Sequence, residues 1–333
     1  KYSLACLSIC FTVSRAVADE PDHSPKTRAR VKHMAIQQGY QPNPVARRLQ
    51  KGKTETIGIV ITPEQNYFSD TFFIDLLSGI SNQITRAGYE LILGVASDEE
   101  HEMQSMRRMV EGKRVDGMIL TLIREQDPRV GYLLDRDFPF VLYGRTRETR
   151  PYAFVDMDGK QAFEKACTYL AGLGHCRIAL LNGEPGFMFP VGCREGYESG
   201  LFLSGLELDP DLIREWKHKD PSQSSYRWTL ELFKNDNPPT AILFQTEAVN
   251  GIFKGLDELD LQPGKDVALI GYDDLEIARI HRPSLSVLRP QAREAGQRVV
   301  NILLEVIKGE DPGKFQEIHQ VEMVIRETSL PPS

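Results

Sequence analysis

Two groups of residues in this chain have the types and spacing to do chemistry. The first is cationic and lies near the start. Arg15, in Thr12-Val13-Ser14-Arg15, carries the planar fork that reads a guanine edge or clasps a phosphate, although any exposed arginine looks the same in sequence. Farther along, Asn43-Pro44-Val45-Ala46-Arg47-Arg48-Leu49 reads as a short helix. Asn43 can cap it, Pro44 can open it, Arg47 and Arg48 flank one side, and Leu49 ends it. Arginines beside an apolar tip suit a minor-groove contact in which the leucine unstacks a base step; an ordinary amphipathic turn is the alternative. The second group is polar and follows apolar runs. Asp273 comes just after residues 267–271, Asp156 after residues 153–155, and Arg145 after Tyr143-Gly144. A carboxylate accepts two hydroxyl hydrogen bonds, a chemistry suited to sugars. Loop-end or helix-capping aspartates, and a salt-bridging arginine, are the competing readings.

The two groups differ in electrostatic setting. Residues 1–60 hold ten Lys and Arg against four Asp and Glu, net +6; residues 61–333 hold thirty against forty-three, net −13. The overall charge of −7 conceals that division. A basic head can neutralise phosphates, whereas an acidic body repels them, so nucleic-acid contact belongs to the head and the body needs another task. With 41% hydrophobic and 26% charged residues over 333 positions, the chain suits two or three globular domains. No apolar run approaches the roughly 20 residues that span a bilayer. Cys6, Cys10, Cys167, Cys176 and Cys193 are scattered, odd in number and without zinc-site spacing, as expected of reduced thiols in a cytoplasmic protein. Lys1, the apolar residues 4–13 and Ala16-Val17-Ala18 imitate a signal peptide, but Arg15 interrupts the imitation.

Behind the head, strand and helix signals alternate. Strands are predicted at 56–61, 89–95, 117–122 and 140–143, with helices at 72–87 and 99–110. A second set follows, with strands near 153–155, 177–181, 241–244 and 267–271 and helices near 159–173, 192–205, 222–234 and 248–259. A helix at 291–308 and a strand at 318–324 come last. Such alternation predicts doubly wound parallel sheets with helices on both faces, and two sets predict two lobes. Ligands of such sheets bind beyond the carboxyl ends of the strands, where Asp273, Asp156 and Arg145 fall. In the head, Ser24 and Pro25 have the residue types that start a helix running through Val31 and Met34 to Gly39, within a helix-turn-helix bundle.

Residues 12–49 resemble the head of the lactose/galactose repressor family of bacterial transcription regulators. The resemblance is carried by Thr12-Val13-Ser14-Arg15, Pro21, Ser24, Thr27-Arg28, Arg30-Val31, Gly39-Tyr40, Pro42-Asn43, Ala46 and Leu49. It continues through residues 56–61, Arg114-Val115-Asp116-Gly117, Leu173-Gly174-His175, Gly271-Tyr272-Asp273-Asp274 and Val324-Ile325-Arg326-Glu327-Thr328. It implies a dimer on a palindromic operator, with Thr12, Ser14 and Arg15 on the recognition helix and Leu49 in the minor groove. Ser24, Thr27, Asn43, Ala46 and Arg47 complete the expected DNA-facing set. Upstream the pattern departs: only eleven residues precede Thr12, and Leu7-Ser8-Ile9 fill the turn positions, which implies a head with an incomplete or altered start.

The body is similar to periplasmic sugar-binding proteins, which implies an effector held between two lobes joined by three crossover strands. Asp273 matches the family's ligand-binding carboxylate. Arg194 stands one residue late for the family's ligand-binding arginine, whose place Cys193 takes. Thr246 stands where many members have a contacting asparagine. Phe72 and Phe73 match aromatic positions near the pocket mouth, with core packing as the alternative. The expected organisation is a head at 1–42, a hinge helix and linker at 43–54, and a core at 55–330. No heptad tail follows, so a homodimer is expected. Asp273 and Asp274 are adjacent and diverge, and no nucleophile elbow, phosphate loop or metal cluster is present, so neither an enzyme nor a cofactor is expected. The expected function is a sugar-responsive cytoplasmic repressor with no membrane partner; the alternative is a transport-associated sugar-binding protein.

Overall fold

A computed structural model describes residues 53–62, 71–216, 221–245 and 248–331, and in the head only Lys26, Ala29, Arg30, His33, Met34 and Gln37. Those six are helical and exposed, within the helix predicted from Ser24-Pro25. The expected DNA-facing residues Thr12, Ser14, Arg15, Ser24, Thr27, Asn43, Ala46, Arg47 and Leu49 lie outside the described residues, as does Thr246.

From Thr56 onward the chain forms one unit with two sheets. Lobe 1 uses β1 (Thr56–Ile61), β2 (Glu90–Val95), β3 (Gly117–Leu120), β4 (Phe140–Tyr143), β5 (Ala153–Met157) and, late in the chain, β11 (Gln316–His319). Their order is β11-β5-β4-β3-β1-β2, all parallel. Lobe 2 uses β6 (Ile178–Asn182), β7 (Ile213–Glu215), β8 (Ala241–Gln245), β9 (Ala268–Tyr272), β10 (Ser286–Arg289) and β12 (Glu322–Val324), in the order β12-β10-β9-β8-β6-β7. Only β12 is antiparallel there. β1, β3, β6, β8 and β9 are buried throughout, the state that continuous apolar runs encode when helices cover both faces.

Helices α1 (Thr71–Arg86), α2 (Glu99–Glu111) and α3 (Pro128–Leu134) belong to lobe 1, and α4 (Gly159–Gly172), α5 (Met188–Leu203), α6 (Pro221–Phe233), α7 (Val249–Glu258) and α8 (Glu276–Ile280) to lobe 2. The last, α9 (Ala292–Ile307), returns to lobe 1 and packs on α1. Gly79 and Gly296 permit that contact: a Cβ on Gly79 would lie 2.1 Å from the Arg293 carbonyl oxygen, and one on Gly296 2.4 Å from that of Leu76.

Two expectations change. Residues 153–155 do not open the second set: β5 pairs with β4 and completes lobe 1. The single strand expected at 318–324 is two, β11 in lobe 1 and β12 in lobe 2, with the chain crossing between them. The short strands β7 and β10 had no clear signal. The chain passes between lobes three times, after β5, after β10 and after β11, as the family resemblance implies. Among the described residues, no helix is long and apolar enough to cross a membrane.

Candidate functional site

A cavity of about 560 Å³ lies between the lobes, within the range of pockets that enclose small ligands. Its wall in lobe 1 comes from the ends of β3, β4 and β5 and the start of α1. Its wall in lobe 2 comes from the ends of β6, β7, β8 and β9 and the start of α5. Among the residues singled out in the sequence, Phe72, Phe73, Arg145, Asp156 and Asp273 all line it. Phe73 is also buried in the lobe 1 core, and Phe72 sits 5.9 Å from the Tyr143 ring, so the pair serves both packing and cavity wall.

Asp273 follows β9 with a left-handed backbone, φ 76°, and its own N–H donates to the Leu288 carbonyl at 2.8 Å. That contact to β10 fixes the residue at the strand end and leaves the half-buried carboxylate at the cavity wall. Opposite, Asp156 is the next-to-last residue of β5. Arg145 Nε donates to its Oδ2 at 2.5 Å. Burial pushes the Asp156 carboxyl up, and the Arg145 charge and hydrogen bond oppose this only in part. Arg145 is therefore both a salt-bridge partner and a lining residue.

Arg194 does not line this cavity. It lies on α5, where Cys193 is fully buried and the next residue turns away by the helical step. Arg194 donates to Glu198 at 2.9 Å and Glu215 at 3.3 Å, beside a separate crevice. The register of α5 is fixed: a Cβ on Gly196 would meet the Lys160 carbonyl oxygen at 2.0 Å, so this helix sits directly on α4 and has no freedom to shift by a residue.

The cavity also uses residues that sequence reasoning missed. Gln245 ends β8 and donates to Asn182 Oδ1 at 2.9 Å, while Asn182 Nδ2 donates to the Pro190 carbonyl at 3.0 Å. Trp216, just beyond β7, stacks on Trp228 with centroids 6.1 Å apart. Phe189 meets Tyr272 edge-on at 4.6 Å. The aromatic and strand-end types were visible, but nothing in their spacing marked them out. Thr121 Oγ1 is buried, lines the cavity and has no hydrogen-bond partner among the described residues.

One rim of the cavity carries a bridge between lobes. Glu125 N–H donates to the Gly186 carbonyl and Met188 N–H to the Ile123 carbonyl, both at 2.9 Å. The Arg124 guanidinium lies 5.6 Å from the Phe187 ring centroid. Behind this strip, buried Arg129 pairs with Asp127 and Glu102 at 2.6 Å each and donates to the carbonyls of Thr121 and Leu122. Glu102 also holds Arg124 at 3.0 Å. Burial pushes the Asp127 carboxyl up, but the hydrogen bond and charge of Arg129, joined by Arg124, outweigh it and hold the group below its ordinary value.

Residues 167–329 match a periplasmic binding protein-like domain. Over 327 residues, 96% of this chain and 90% of the relative, the sequence is 32% identical to the HTH-type transcriptional regulator AglR of Rhizobium meliloti (strain 1021). It is also 32% identical to the HTH-type transcriptional regulator RafR of Escherichia coli, covering 92% and 90% of the two chains. A solved regulatory protein of the LacI family from Chloroflexus aggregans superposes with a TM-score of 0.75 at 27% identity, covering 83% of this chain and 98% of its own. The chain belongs to the LacI (lactose/galactose repressor) family of transcription regulators. It is a ligand-responsive transcriptional regulator and not an enzyme. The fold agrees with that of the transcriptional regulator CelR in its complex with cellobiose, TM-score 0.76 at 23% identity, covering 95% and 94% of the chains. The transport-associated alternative gives way here, because the similarity to regulators extends over nearly the whole chain.

Proposed function

We propose that this regulator is a cytoplasmic homodimer that represses transcription from a palindromic operator and holds a sugar between the lobes of its core. The supporting observation is the cavity itself. It lies at the carboxyl ends of two parallel sheets and combines aromatic faces with carboxylates that accept hydroxyl hydrogen bonds. Phe72, Phe73, Arg145, Asp156 and Asp273 are the proposed ligand contacts, together with Gln245. The similarity to CelR, solved with cellobiose, agrees with a saccharide in this position. We assign DNA reading to a head at 1–42, with Thr12, Ser14, Arg15, Ser24 and Thr27, and to a hinge at 43–54, with Asn43, Ala46, Arg47 and Leu49. A two-fold axis relating two heads would match the two halves of a palindrome.

Selection of random duplex DNA by the intact chain, followed by anisotropy titration with and without saccharides, tests this reading. The expected result is a palindromic site whose affinity changes when a saccharide is added. Enrichment of no sequence, or an operator affinity that no saccharide alters, would overturn it.

A further inference from the structure

We propose that the rim bridge of residues 123–125 to 186–188 is a latch between the lobes whose strength presets operator affinity before any effector binds. The link to the operator rests on the operator reading above.

The lobe 1 half of the latch is built in advance. Between residues 121 and 125 the backbone polar groups are pinned in turn to lobe 1. Buried Arg129 donates to the Thr121 and Leu122 carbonyls at 3.1 and 3.0 Å. The Arg124 N–H donates to Asp127 Oδ2 at 3.2 Å. The Glu125 carbonyl accepts from the Arg147 N–H at 2.9 Å and from the Thr146 hydroxyl at 2.8 Å. Leu122 is held with a left-handed backbone, φ 48°, which costs a leucine energy and persists where the surroundings impose it. The Ile123 carbonyl and the Glu125 N–H face the other lobe. They accept from Met188 and donate to Gly186, both at 2.9 Å.

The lobe 2 half is the segment that leads into α5. Gly186 has φ 96°, a conformation open to glycine, and Phe187 is extended at φ −92°, ψ 143°. The two segments meet as an antiparallel bridge with Arg124 opposite Phe187. The Arg124 guanidinium lies 5.6 Å from the Phe187 ring centroid, and Glu102 and Glu99 hold it at 3.0 and 3.1 Å. An exposed pair, Arg147 with Glu195 at 3.8 Å, also crosses the rim but adds little.

One hydrogen bond of this kind shifts an equilibrium roughly five-fold, and an exposed cation–π contact about two- to five-fold. Two bonds and one contact together favour the joined arrangement by roughly a hundred-fold, which leaves the parted one populated on the order of one per cent. Little ordering cost is subtracted, because the lobe 1 segment is fixed before the bonds form. The bonds are the protein's own backbone groups, so this bias needs no effector. Coupling between the lobes and the head carries it to the operator, and the operator must then bias the latch by the same factor.

Met188→Pro cuts the latch at one atom. Met188 opens α5, where proline is tolerated, and the extended Phe187 before it suits a following proline. Met188→Ala loses the same side chain and keeps the N–H. Hydrogen exchange read by mass spectrometry at the Glu125 amide is measured on the intact wild type and both variants, with and without the selected operator duplex. Anisotropy gives operator affinity with no saccharide present. The expected result is Glu125 exchange about five- to ten-fold faster in Met188→Pro than in Met188→Ala, with operator affinities about three-fold or more apart. Added operator should also change Glu125 exchange in the wild type. Equal exchange in the two variants overturns the latch. Equal operator affinities, or wild-type exchange that operator leaves unchanged, overturn its link to the operator; the wild-type measurement decides this even if Met188→Pro fails to fold. Enrichment of no duplex overturns the operator reading and the link with it, while the exchange comparison still decides the latch.

Discussion

At position 273 backbone and side chain serve the same end. The left-handed φ of 76° is one that Asp and Asn adopt more readily than other non-glycine residues, so Asp273→Asn keeps the local conformation and removes only the charge. If the carboxylate accepts ligand hydroxyls, losing a charge-assisted acceptor costs roughly 1.5–3 kcal/mol, about ten- to a hundred-fold in affinity. Calorimetry with the saccharide that binds wild type should show that loss, with operator affinity in its absence nearly unchanged; equal ligand affinity would remove Asp273 from the contacts. That this residue, Asp156 and Arg145 would stand at a cavity wall was legible in the sequence, because an apolar run marks each strand and clefts of such sheets lie at the strand ends. Gln245 was not, since a glutamine closing a buried strand is also an ordinary satisfied polar group, as its bond to Asn182 shows. Arg194 misled because residue type survives a one-position offset on a helix while side-chain direction does not. The step from Cys193 to Arg194 turns the side chain from the core to Glu198 and Glu215.

Among the elements, the strands and helices of each lobe followed from apolar periodicity, but their allotment to sheets did not. Unbroken alternation carries no mark where one sheet ends, so β5 read as the start of a set it does not join. The bridge of residues 123–125 to 186–188 was illegible for a different reason: it is made of backbone groups, which every sequence has. Its support is specific. Arg129 holds the carbonyls of Thr121 and Leu122 and neutralises Asp127 and Glu102 in a buried cluster. Arg129→Met would leave two buried carboxylates without their main partner, a loss of about 3–5 kcal/mol near neutral pH. The sign of the pH dependence follows from Asp127. Its folded value lies below the ordinary 3.8, so the stability it contributes is fully present above about that pH and is lost as pH falls through the folded value. In the variant, burial acts without Arg129 and raises the carboxyl, so folding takes up a proton there and acid favours the folded state. Urea melts near pH 7 and near pH 4 should therefore show the gap between wild type and Arg129→Met narrowing on acidification. A gap of constant size would mean that lost packing, not the ion cluster, is responsible.

For the whole molecule the question is how an effector in the core reaches a head on the other side of a linker. The crossings after β5, β10 and β11 are the connections about which the lobes can turn, and the bridge at 123–125 and 186–188 joins them along the cavity rim. An effector touching both walls stabilises the arrangement in which those contacts are made, and shifts the balance only by its difference in affinity between arrangements. We expect the change to alter the separation of the two Lys51–Thr54 linkers in a dimer. On the proposal that residues 43–49 form a hinge helix, so short a helix would need DNA and its symmetry mate to be stable, and separating the pair would withdraw the proposed Leu49 wedge and arginine contacts together. Coupling of this kind is reciprocal: operator DNA must change effector affinity by the same factor by which effector changes operator affinity. Leu49→Ala should then weaken specific operator binding by about ten-fold or more, on the order of the few kcal/mol that an unstacked base step involves. Effector affinity without DNA should stay unchanged, and its dependence on added operator should shrink. Anisotropy titration of the operator and calorimetry of the effector, each with and without the other, read both sides of this cycle. Equal operator affinity for wild type and Leu49→Ala would remove the leucine wedge from the mechanism, and a coupling factor of one in wild type would show that effector and operator binding are not linked.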